Sequence, residues 1–183
     1  MNLRIFLYLI LVGLFLIVLK GAAQTENYYN SYNWLQEHIN QSDYVFEGYY
    51  TNKNVSFLDK RQLFTLMSFK VTRMIKGKMP ADSIIKIEVD GGRYFDPQTG
   101  IEYVGLSAHG NGIVETTNAL IFLYPKNERN NHRIKLMIDI SNPEKLSYNC
   151  IPPYEPQPYV KLEDLYRDIS SITGNKFIIK KKT

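Results

Sequence analysis

Cysteine is almost missing from this chain: Cys150 is the only one in 183 residues. One thiol closes no internal disulfide, so an apolar core has to hold the fold. Cys150 itself reads as a small buried side chain, with a bridge between chains or a reactive thiol as alternatives. Histidine is scarce as well, with His38, His109 and His132 making up all 3. No HxxxH or CxxC spacing occurs, so no zinc site is expected. No GxSxG elbow is present, and nothing in the sequence calls for a cofactor. A strong charge of one sign is also absent. The 22 basic and 18 acidic residues leave a net +4. That field is too weak to predict a nucleic-acid partner.

Long hydrophobic runs are lacking except for one, Ile5 to Leu19. It is shorter than the roughly 20 apolar residues that span a bilayer. Arg4 precedes it, and Gly21-Ala22-Ala23 follows after Lys20. A positive start, an apolar run and small residues form the pattern of a secretory signal peptide, residues 1–23, cleaved after Ala23. An uncleaved N-terminal anchor is the alternative, and it would be the chain's one contact with a membrane. The expected location is extracytoplasmic, whether periplasm, outer surface or medium. Residues 24–183 then form a single domain. Its terminal Lys180-Lys181-Lys182 reads as a solvated basic tail.

What remains is rich in alternating apolar residues. From Asn27, the residues Tyr28, Tyr32, Leu35 and Ile39 recur at helical spacing, with Gln36 and Glu37 off the stripe. Val45–Thr51 is aromatic and β-branched and reads as a strand, closed by a turn at Asn52-Lys53-Asn54. Leu63–Ile75 is a longer strand whose alternation fails at Arg73-Met74, predicting a bulge. Ile85, Ile87 and Val89 alternate with Lys86 and Glu88. Asp90-Gly91-Gly92 breaks that strand, and Asp96–Gly100 is a turn before a strand over Ile101–Leu106. Ala119–Tyr124 is apolar on both faces and should be the most central strand. Ile134–Ile140 alternates again. A proline-rich connector at residues 152–158 precedes a second helix with Leu162, Leu165, Tyr166, Ile169 and Ile172 on one face. Gly174 is its C-terminal cap. Phe177–Ile179 adds a short strand. Consecutive strands without intervening helices predict a mainly β, antiparallel, OB-like barrel with two terminal helices packed against it.

Two segments carry a resemblance. Ser42-Asp43-Tyr44-Val45-Phe46-Glu47-Gly48 is followed by Phe69-Lys70-Val71-Thr72-Arg73-Met74-Ile75-Lys76-Gly77. Together they resemble the opening of netrin-module or TIMP-like domains of secreted bacterial proteins, with Ile84–Val89 and Ala119–Leu123 matching later strands. The resemblance covers residues 42–124 and implies an OB-type barrel with terminal helices. Metalloprotease inhibitors of this kind use a cysteine at the mature N-terminus. Here Gln24 stands there, so the inhibitory function does not carry over.

The candidate site residues are few. The loop Ser107-Ala108-His109-Gly110-Asn111-Gly112 offers Ser107, His109 and Asn111 as ligand contacts at the barrel mouth, or a plain hairpin whose glycines supply positive φ. Arg93 and Tyr94, with Tyr103 and the other aromatics, offer a stacking surface for peptide or sugar, or simply core. Glu88, Asp90, Asp96 and Glu102 offer carboxylate pairs for glycosidic chemistry, or ordinary strand and turn charges. No catalytic residue is singled out. The expected function is a secreted, non-enzymatic binding module for a protein, peptide or glycan. An extracytoplasmic hydrolase using carboxylates or His109, and a protease-inhibitor-like protein, are the alternatives.

Overall fold

The computed structural model describes residues 30–60, 62–105, 118–149 and 157–177. Residues 1–29, which hold the expected signal segment and Tyr28 of the expected first helix, together with Ser107, His109, Asn111, Cys150, most of the proline-rich connector, Ile178, Ile179 and the lysine tail, lie outside them. Contacts divide the chain into two compact units, Met1–Leu35 and Gln36–Thr183. In the first unit only residues 30–35 are described, the opening turns of helix α1 (residues 30–41).

The second unit is built on strands. They are β1 (Tyr44–Asp59), β2 (Gln62–Lys76), β3 (Ile84–Asp90), β4 (Gly92–Asp96), β5 (Ile101–Gly105), β6 (Ala119–Leu123), β7 (His132–Asp139) and β8 (Ser147–Asn149). Helix α2 (Leu162–Thr173) follows. The main sheet runs β3-β2-β1-β6-β7-β8, and β3 also pairs with β7. That last pairing closes five strands into a ring. Among the described residues it is the one parallel contact, through Ile87 with His132 and Glu88 with Arg133, and every other pairing is antiparallel. A five-stranded ring with this order is an OB-like barrel.

Side-chain alternation explains the closure. Met67, Phe69 and Val71 of β2, Ile85, Ile87 and Val89 of β3, and Ile121, Leu123 and Met137 share one buried cluster with Phe46. All five residues of β6 are buried, as a strand between β1 and β7 requires. Gly48 sits where a Cβ would come 2.4 Å from the Lys70 carbonyl, so only glycine admits this approach of β1 to β2.

The bulge expected near Arg73-Met74 is present. Thr72 and Ile75 are skipped in the pairing of β2 with β1, at register shifts on either side of Phe46-Glu47. The turn expected at Asn52-Lys53-Asn54 is not a turn. The register moves from Tyr50–Phe69 to Asn54–Met67, so the extra residues form a bulge within one continuous strand. Asn52 takes φ 58, a left-handed conformation that asparagine tolerates, and this bends the strand without reversing it. The reversal comes at Lys60, φ 44, between the paired Asp59 and Gln62. Two strands were missed. β4 follows directly on Gly91 and Gly92 and pairs with β5 in a separate two-stranded sheet, and β8 is a three-residue edge on β7.

Both helices meet the barrel wall through charged and aromatic side chains. Lys76 donates to the Ile39 and Asn40 carbonyls at the C-terminal end of α1, at 2.8 and 3.0 Å, where cations suit the helix dipole. The His38 ring stands edge-on to Phe122 with centroids 6.4 Å apart. On α2, Leu162, Leu165, Tyr166 and Ile169 are buried as the spacing predicts, and Gly174 caps the helix at φ 72. Tyr166 donates to the buried carboxylate of Glu47, which Arg73 also binds, with the Arg73 guanidinium carbon 5.0 Å above the Tyr166 ring. Burial, reinforced by Glu47, pushes the Tyr166 hydroxyl far above its ordinary value. The link spans 119 residues of sequence and ties β1 to α2.

Candidate functional site

A groove of about 690 Å³ opens at the end of the barrel where the β1–β2 turn, the β4–β5 hairpin and the β6–β7 loop converge. OB-like barrels present ligand-contacting loops at this kind of position. Leu58, Leu63 and Phe64 make an apolar wall. Tyr103 and Val104 face it from β5, and Gln62, Asp90, Arg129 and Arg133 supply the polar rim.

Each wall has a local cause. Leu58 and Leu63 are cross-strand partners beside the tight turn at Lys60, so their side chains emerge on one face. The β4–β5 hairpin is drawn over the end of β1 and β2 by its glycines. A Cβ on Gly92, whose φ is +121, would stand 2.1 Å from Thr65 Oγ1 and 2.8 Å from Ser56 Oγ. Those two hydroxyls are bonded to each other at 2.9 Å, and Thr65 donates to the Gly91 carbonyl at 2.8 Å.

The β6–β7 loop is organised around a buried charge. The Glu88 side chain is fully enclosed, and Arg129 binds it through both Nε and Nη2. Asn127 Nδ2 donates to Oε1 at 2.9 Å and Asn131 Nδ2 to Oε2 at 3.0 Å. Burial by itself would raise the carboxyl's pKa. The donors of Arg129, Asn131 and Asn127 outweigh that and hold it down to about 2. Asn127 in turn accepts the N–H groups of Arg129 and Asn131 through Oδ1 at 3.0 Å each. The loop is thereby stitched to β3, and the Arg129 guanidinium carbon lies 4.6 Å over the Phe64 ring. Arg129 Nη1 also donates to Gln62 Oε1 at 3.0 Å, so the loop reaches the β1–β2 turn. Next to it, Arg133 binds Asp90, and both remain substantially open to solvent.

Of the residues expected to touch ligand, Arg93 and Tyr94 are described and do not line the groove. They are neighbours on β4 and point to opposite faces. Arg93 is exposed, 3.8 Å from Glu102. Tyr94 lies against Tyr103, its cross-strand partner, with ring centroids 6.4 Å apart. Tyr103 is the member of the expected aromatic surface that reaches the groove. The four carboxylates weighed for glycosidic chemistry are spread among local partners. Glu88 holds Arg129, Asp90 holds Arg133, and Glu102 faces Arg93. Asp96 accepts from the Gln98 backbone N–H and the Thr99 hydroxyl, which together lower its pKa. His132 is the first residue of β7. It is buried, with Nδ1 2.9 Å from the Tyr124 carbonyl and its ring edge-on to Tyr44. No group of three or more His, Cys, Asp or Glu side chains suited to a metal occurs among the described residues. The groove residues Leu58, Leu63, Phe64, Arg129 and Arg133 escaped sequence reasoning. The readable signal for them was topological, because an OB order already directs attention to the first hairpin turn and the last barrel loop. Comparison with family models, with characterised proteins and with solved structures finds no match to this chain.

Proposed function

We propose that this chain is an exported, non-catalytic binding module that takes an extended peptide segment of a partner protein in the groove between the β1–β2 turn, the β4–β5 hairpin and the β6–β7 loop. One observation carries the reading: an apolar wall of Leu58, Leu63 and Phe64 stands beside two guanidinium groups at the same pole of an OB-like barrel. Apolar lining with a few fixed polar groups is what a recognition site needs. Arg133 and Asp90 are both partly exposed, so an incoming carboxylate can replace Asp90 on Arg133 without entering a dry interior. The preferred peptide therefore carries an apolar side chain next to an acidic one. Tyr103 adds a flat face at the rim. The apolar run with its small-residue end supports export, and the ring of strands with helices at 30–41 and Leu162–Thr173 supports the resemblance to netrin-module domains.

The test is a calorimetric screen of the protein against peptides that pair aliphatic with acidic residues, with glycans as a separate arm. Binding is expected to weaken about tenfold on Arg133→Ala, the loss of one exposed charge-assisted contact. Silence with every peptide, or binding that Arg133→Ala and Leu63→Ser leave unchanged, overturns the reading.

A further inference from the structure

Two acids and two guanidinium groups meet at the rim of the groove, and the acids are held very differently. Glu88 and Asp90 are two residues apart on β3 and lie on the same face of the strand. Arg133 stands opposite Glu88 in the parallel pairing of β3 with β7, yet it binds Asp90. Glu88 is already taken. Its side chain is 0% exposed, and Arg129, Asn127 and Asn131 all donate to it. The Asp90 side chain is 60% exposed and that of Arg133 is 42% exposed, so their contact is an open ion pair of the kind that exchanges easily. The backbone beside Asp90 is fixed. Asp90 pairs with Phe64, the Gly91 N–H donates to the Leu63 carbonyl at 2.8 Å, and Thr65 donates to the Gly91 carbonyl at 2.8 Å. Release of Arg133 therefore takes rotation of one side chain and no movement of the β4–β5 hairpin.

We infer that Asp90 is a built-in competitor of the ligand: it holds on Arg133 the position that the peptide's carboxylate takes, and so sets which acidic peptides the groove accepts. The inference rests on the peptide-binding function proposed above and adds how that site is regulated. With Asp90 in place the two acids balance the two guanidinium groups, so the rim offers little net field to an anion. Exchanging one carboxylate for another on the same guanidinium gains little. The tethered carboxylate also competes as though present at a concentration on the order of millimolar or more. Charge alone therefore does not open the site. The excess has to come from the neighbouring side chain, through apolar area buried on Leu58, Leu63 and Phe64. Asp90 thus makes the groove demand both features in one peptide, an acid for Arg133 and an aliphatic group for the wall. Arg129 does not substitute for Arg133, because its Nε, Nη1 and Nη2 already donate to Glu88 and Gln62.

Calorimetry of the full chain with two end-blocked hexapeptides tests it, one alternating leucine with glutamate and one alternating leucine with glutamine. Asp90→Asn removes the competing charge and keeps the side chain's shape. It should bind the glutamate peptide about threefold to fivefold more tightly than the parent chain does, with a larger preference for glutamate over glutamine. The gain should fade in the Arg133→Ala background, where Asp90 has no guanidinium to occupy. Asp90 is exposed, so the variant should fold, and thermal melts by circular dichroism check that it does. Equal or weaker binding of the glutamate peptide by Asp90→Asn overturns the inference, because Asp90 would then be idle or would be holding Arg133 in place for the ligand. A gain that persists undiminished in Arg133→Ala overturns it too, since Asp90 would then act only through its charge at a distance. In both cases, parent binding that Arg133→Ala weakens leaves the function proposed for the groove standing. Silence of the parent chain and of Asp90→Asn alike, with every peptide, removes that function and this inference together.

Discussion

The most informative perturbation is acid. The enclosed carboxylate of Glu88 is held down to about 2, against roughly 4.3 for a glutamate in an unfolded chain. Between those values the unfolded state binds a proton that the native state refuses. Stability therefore falls as pH falls through that window and is fully present above about pH 5. Each pH unit of the difference corresponds to about 1.4 kcal/mol, so this one group contributes about 3 kcal/mol at neutral pH. That is a large part of the ~5–15 kcal/mol that holds a typical domain. The assay is urea unfolding followed by tryptophan fluorescence and circular dichroism at intervals from pH 7 to pH 2. Glu88→Gln provides the contrast. It should lose about 3–5 kcal/mol at pH 7, because Arg129 is left as an uncompensated, partly buried charge. It should also lose much of the steepness below pH 5, since the group that titrated is gone. Equal acid slopes in the parent and Glu88→Gln would refute the argument, whatever their absolute stabilities.

Three further outcomes are expected. Gly92→Ala should destabilise by about 2–3 kcal/mol in thermal or urea unfolding, because alanine at φ +121 is strained and its Cβ would meet Thr65 Oγ1; a neutral result would mean that the hairpin tolerates displacement. Tyr166→Phe leaves the ring under Arg73 but removes the donor to Glu47, so a loss of about 1.5–3 kcal/mol is expected in the same assay. If the amino-terminal segment is a cleaved export signal, Edman or mass-spectrometric sequencing of the protein made in its host should begin at Gln24, and a chain that begins at Met1 removes that reading.

Much of the barrel was legible because its signals are local. Ala119–Leu123 is apolar without a break and lies between β1 and β7, and Ile85, Ile87 and Val89 alternate and point inward. The failed alternation at Arg73-Met74 marked real register shifts. The same logic misread Asn52-Lys53-Asn54. Asparagine in a left-handed conformation serves a bulge as well as a turn, and which one forms depends on whether the neighbouring strand continues past it. Here β2 does continue, through Met67 to Gln62. Gly91-Gly92 was read as a break, yet it also starts β4, because glycine is what lets that strand pass close to Ser56 and Thr65. Such approaches are set by tertiary packing and leave no periodic trace.

The groove was illegible for a stronger reason. Its polar rim depends on partners separated by 39 to 43 residues: Asn127, Arg129 and Asn131 on a loop, and Glu88 on β3. In the sequence Glu88 is merely the polar member of an alternating strand, the kind of residue expected to face water. It is instead enclosed, because the β6–β7 loop folds back over the outer face of β3 and covers it. Once covered, the carboxylate must have its full set of donors, and those donors fix where Arg129 stands over Phe64. The charge that costs most to bury is thus the one that shapes the rim. On the binding function proposed above, stability and recognition are coupled through it, so Glu88→Gln should weaken peptide binding as well as folding, whereas Arg133→Ala should weaken binding and leave the acid slope assigned to Glu88 intact.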